Sequence, residues 1–138
     1  MIFNVKYWKR DFKRLAIELR RRQEQLRWPD ESYASLEKSI MMGFYAIRKL
    51  LDAFQPMMPV NKNALFDLTS FPSLNKPFWK LSWPEINEHF DVTKPTVLKK
   101  DLKFICDQIV HTHLFTPWFD TNTRLAGVFF LRISGVVL

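Results

Sequence analysis

Glycine is scarce: three in 138 residues. So few cannot supply a glycine-rich phosphate loop, and they argue against a sandwich or barrel built on many tight turns. The single cysteine, Cys106, excludes an internal disulfide and a four-cysteine zinc site. A reducing compartment suits such a chain. No Gly-x-Ser-x-Gly elbow occurs, so the corresponding hydrolase chemistry is not expected. Long apolar runs are also missing. The stretch Leu125 to Leu131 is closed by Arg132 and falls far short of the ~20 residues that span a bilayer. The N-terminus turns charged after Val5, without the apolar segment of a secretory signal. These absences together predict a cytoplasmic protein with no membrane partner.

What is present is aromatic and basic. Hydrophobic residues make up 47% of the chain, with 5 Trp, 3 Tyr and 13 Phe. That is enough for a core without covalent staples. The net charge is +7, but it is concentrated. Residues 5–27 hold nine Lys or Arg against three acids, +6 of the total. The basic character therefore belongs to one element, and it excludes a uniformly charged surface.

Apolar spacing predicts the elements. Trp8, Phe12, Leu15, Leu19 and Leu26 recur at helical intervals and predict a helix over residues 5–28, ended by Pro29. Tyr33, Leu36, Ile40, Phe44, Ile47, Leu51 and Phe54 predict a second over 30–55, with Asp30 and Glu31 at its positive end. The short link between them predicts an antiparallel hairpin. Residues 56–83, broken by Pro56, Pro59, Pro72 and Pro77, read as a long loop with one helical turn at Ala64–Leu68. Phe66, Phe71, Phe78, Trp79 and Trp83 are expected to pin it to the core. A short helix follows at 84–91. Leu98, Leu102, Ile105 and Ile109 predict a third long helix over 99–112. β-branched and aromatic residues flanking Asp120-Thr121-Asn122-Thr123 predict a β-hairpin over 114–133. The expected class is mainly α, of α+β type, in one domain. The apolar end Gly135-Val136-Val137-Leu138 is expected to pair within the sheet or offer an edge for a homodimer.

Three segments carry candidate chemistry. On the first helix, Lys9, Lys13, Arg14, Arg20 and Arg21 can neutralise phosphates, which predicts a nucleic acid partner; the plainer reading is the solvated face of an amphipathic helix, and an acidic protein or a membrane surface are the remaining alternatives. Arg20, Arg21 and Arg22 point three ways round a helix, so one ligand cannot touch all three. The second segment runs from Cys106 to His113. Asp107 and His111 stand four apart, where a carboxylate orients an imidazole for general acid–base work. The plainer reading makes His111 a helix terminus facing the dipole. His89, His111 and His113 lack the spacing of a metal-ligand pair, so neither metal nor cofactor is expected. Cys106 reads as a buried, inert thiol.

A helical pair followed by a helix ending in Asp-x-x-x-His resembles the HEPN domains, many of them metal-independent ribonucleases of toxin and defence systems. The resemblance covers residues 30–113. It implies an RNA partner, His111 as general base or acid and Asp107 at the polar position. Cys106 stands where the family motif carries arginine, and Arg48 on the second helix is the candidate substitute cation. The third segment, Glu85 to Leu102, resembles the helix-turn-helix of bacterial repressors. That resemblance implies a DNA-binding regulator with Lys94, Thr96, Lys99 and Lys100 facing the major groove and the 114–133 hairpin as a wing. RNA is the favoured partner, DNA the alternative, and a non-catalytic adaptor for an acidic protein the third reading.

Overall fold

The computed structural model describes residues 4–53, 63–76 and 86–131. The expectations for residues 54–62, 77–85 and 132–138, including Phe54, the aromatics Phe78, Trp79 and Trp83, and the C-terminal edge, lie outside them. The fold is α+β, with four helices and two small antiparallel strand pairs among the described residues. The chain divides into two compact units, one drawn from Met1–Asn61 and Phe115–Phe129, the other from Lys62–Leu114 and Phe130–Leu138.

The first unit holds α1 (Val5–Gln23) and α2 (Asp30–Ala53). Asn4 caps α1, its side chain accepting the Lys6 N–H at 2.9 Å. The helix stops at Gln23, earlier than its apolar spacing predicts. Glu24 is the C-cap, and its N–H reaches the Arg21 carbonyl at 3.1 Å. Gln25 then ties the connection, donating to the Arg27 carbonyl at 2.6 Å and to Ser32 Oγ at 2.9 Å. Leu26 therefore leaves the apolar face and is 68% exposed. Along α2 the buried positions are Ser32, Leu36, Ile40, Gly43, Leu50 and Leu51. Leu36 and Leu50 have no exposed surface. Tyr33, expected on the apolar stripe, is part of a ring cluster instead, 5.6 Å from Trp28 and 6.1 Å from Phe119 between centroids. Four pairs join α1 and the chain just after it to α2: Leu15 with Gly43, Glu18 with Ser39, Arg22 with Ser35, and Gln25 with Ser32. At Gly43 the approach is close enough that a methyl group would collide with the Leu15 side chain.

The hairpin of β3 (Leu114–Phe119) and β4 (Leu125–Leu131) appears where its composition places it. Its turn is organised by Asp120, whose carboxylate accepts the N–H groups of Asn122 at 2.8 Å and Arg124 at 3.0 Å. This is the Asx geometry that makes aspartate a turn former. Trp118 and Phe129 stack across the hairpin at 6.4 Å.

In the second unit, two expectations are overturned. The segment read as a helical turn at Ala64–Leu68 is strand β1 (Leu65–Ser70), and the start of the third helix is strand β2 (Thr96–Asp101). They pair antiparallel, with Leu68 opposite Leu98 and Asp67 opposite Lys99. Neither strand announces itself. The spacing of Leu65 and Leu68 mimics a helical turn, and Leu98 continues the apolar stripe of the following helix. Tertiary pairing overrides both signals. The remaining helix, α4 (Leu102–Val110), is only nine residues long. Asp101 sets its start, its carboxylate accepting the Phe104 N–H at 2.8 Å. The short helix is α3 (Ile86–His89), followed by a bridge from Phe90 to Ser73. Phe66, expected to anchor the loop, is exposed, while Phe71 is half-buried. Ile105, Cys106 and Ile109 are buried on α4. Thr112 Oγ1 fastens the exit of α4 to β4, accepting the Leu131 N–H at 3.1 Å and lying 2.6 Å from the Leu114 carbonyl.

Candidate nucleic-acid interface

The geometry separates the sequence candidates. Lys9, Lys13, Arg14, Arg20 and Arg21 are all exposed along α1. Trp8, Phe12, Leu15 and Leu19, half-buried, occupy the opposite side. At 100° per residue these four apolar positions share one face, and the cations fall on the rest of the circumference. Lys6, Lys9, Lys13, Arg20 and Arg21 form no ion pair among the described residues. Arg10 and Arg14 share Asp11, at 3.4 and 3.9 Å. Arg22 turns inward: its side chain is 19% exposed, lies 3.6 Å from Glu18, and donates to Gln25 and Ser35 at 2.9 Å each. Arg22 thus parts from Arg20 and Arg21, which stay exposed.

Two further cations, Lys6 and Arg10, belong to the same surface. With Tyr7, Lys9 and Lys13 they line a concavity of about 630 Å³. The Arg10 guanidinium lies over the Tyr7 ring, 5.2 Å from its centroid. The signal for this cluster is present in the chain as a Lys6, Lys9/Arg10, Lys13 spacing.

In the second unit, Lys99 is held by Asp67 across the strand pair at 2.8 Å, and Lys100 lies 4.8 Å from the Phe104 ring centroid. Thr96, Lys99 and Lys100 sit on β2, and Lys94 in the turn before it. The positions expected to face the major groove from a recognition helix are therefore turn and strand. That turn is built on Asp91, whose carboxylate accepts both the N–H of Thr93, at 3.1 Å, and its hydroxyl. These hydrogen bonds, the hydroxyl's first, hold the Asp91 carboxyl below its ordinary pKa, with Lys94 assisting.

Asp107 and His111 fall at the end of α4, where His111 is the C-cap. Its backbone N–H reaches the Asp107 carbonyl at 3.2 Å, and its imidazole is exposed. The His111 side chain makes no hydrogen bond among the described residues. This is the geometry of the helix-terminus reading. Arg48 belongs to the first unit and is paired with Asp52 one turn along α2. Cys106 is fully buried. No three His, Cys, Asp or Glu side chains gather into a metal-sized group among the described residues. No described helix is long and apolar enough to cross a membrane.

No family model, curated protein or solved structure matches this chain.

Proposed function

We propose that the chain is an RNA-binding domain whose contact surface is the outer face of α1. The observation that carries this reading is the row Lys6, Lys9, Lys13, Arg20 and Arg21, exposed on one helix and without acidic partners among the described residues. The order of the helix pairs supports the platform. As positions rise along α1 through 15, 18 and 22, their partners fall along α2 through 43, 39 and 35. That order supports the reading of an antiparallel hairpin, an arrangement in which the second helix covers the apolar side of the first and leaves the cations to solvent.

Unpaired surface cations lose little on meeting phosphate, because no ion pair has to be broken first. Binding then draws on counterion release. A HEPN-type ribonuclease is the second reading, favoured by one feature: His111 is accessible, with Asp107 one turn before it. The motif position for its cation is occupied by buried Cys106.

A gel assay with purified protein, labelled RNA and EDTA tests both. The expected result is a shifted, uncut band that fades with salt. Five phosphate contacts give a log–log salt slope of about −3.5 to −4.5, and Lys9→Ala with Lys13→Ala together lowers it by about 1.4 to 1.8. No shift at low salt overturns the proposal and leaves an acidic protein as the partner class. Cleavage by wild type that His111→Ala abolishes establishes the ribonuclease instead.

A further inference from the structure

We infer that the α1 surface takes single-stranded rather than duplex RNA, with Tyr7 as a base-stacking platform. This rests on the RNA-binding reading and names its substrate class. Cations alone do not discriminate between strands, since phosphates are present in both. The aromatic ring does. Tyr7 stands on α1 and is 52% exposed. It sits among Lys6, Lys9, Arg10 and Lys13 around one concavity.

Arg10 lies over its ring. A guanidinium over the face of a phenol ring is attracted to its quadrupole and places positive charge beside the ring. An unpaired base meets such a surface with its π-face, while its flanking phosphates reach the neighbouring cations. In a duplex the base faces are stacked on one another, and what remains to be touched is phosphates, 2′-hydroxyls and base edges, none of which offers a π-face. Stacking on the Tyr7 ring is therefore open to single strands and closed to duplex. Stacking of this kind tolerates any base, so little sequence preference is expected.

Fluorescence anisotropy with a labelled single-stranded 12-mer RNA and a 12-base-pair RNA duplex reads this directly. Wild type is expected to favour the single strand. Tyr7→Ala should weaken single-strand binding by roughly 5- to 160-fold and change duplex affinity far less. Tyr7→Phe, which keeps the ring, should retain single-strand affinity. Circular dichroism of each variant reports whether the helices are intact, and an exposed position makes that the expected result. Salt-sensitive binding that Tyr7→Ala does not alter, or alters equally for both RNAs, overturns the stacking role and leaves the cationic surface standing. Failure of wild type to bind either RNA overturns the RNA-binding reading itself.

Discussion

Three consecutive arginines show how position on a helix decides the role of a side chain. Arg20 and Arg21 face solvent, whereas Arg22 reaches Glu18, Gln25 and Ser35 in the seam between α1 and α2. Removing Arg22 leaves half-buried polar partners unsatisfied. Arg22→Ala is expected to lower stability by about 1–3 kcal/mol in urea denaturation, while Arg20→Ala and Arg21→Ala change it by less than about 0.5 kcal/mol. RNA affinity should follow the reverse order, with the two exposed residues mattering more. Asp91 supplies a different residue-level effect. Its folded pKa is lowered by Thr93 and Lys94, so its ionised form is favoured in the native state. The resulting stability is present at neutral pH and is lost as pH falls below the ordinary aspartate value of about 3.9 and through the lowered folded value. The stability gap between wild type and Asp91→Ala, followed by denaturation at a series of pH values, should therefore close in acid.

Among the elements, the junction of β2 and α4 carries the largest departure from the periodic pattern. Leu98, Leu102, Ile105 and Ile109 would form one stripe on a continuous helix. Leu98 instead faces Leu68 across a strand pair, and the helix begins at Leu102. Asp101 ends the strand and caps the helix in the same residue, with an extended backbone at φ −76° and ψ 168°. Asp101→Ala removes the acceptor for the Phe104 N–H, with an expected cost of about 0.5–2 kcal/mol. Asp101→Asn or Asp101→Ser should recover most of it, measured by the same denaturation. A cost that all three variants share would assign the residue to the strand ladder rather than to the cap. The end of α1 follows the same logic. Arg20, Arg21 and Arg22 suit the negative end of the helix dipole, Glu24 closes the last turn, and Gln25 holds the connection to α2.

For the whole molecule, the +7 net charge matters through its distribution. Most of it sits on one helix, so the field is that of a local basic patch rather than a diffuse cation. A patch of this kind concentrates a polyanion at one surface and makes binding strongly salt-dependent. The second unit bears cations too, but Lys99 is neutralised by Asp67. The charge asymmetry that a residue count reveals is thus carried by the number of cations on α1.

The sequence by itself determined the two N-terminal helices, the C-terminal hairpin with its Asp120 turn, and the basic character of α1. Each is a local property: apolar periodicity, turn chemistry and charge are written within a few consecutive residues. Tertiary structure decided β1 and β2, whose register pairs Leu65 with Asp101 and Ser70 with Thr96. Partners so far apart in the chain leave no periodic trace in either segment, and their short apolar spacings fit helix as well as strand. It also decided which cations stand without an acidic partner and which, like Arg22 and Lys99, are paired, because that depends on the acid or hydroxyl that packing brings alongside.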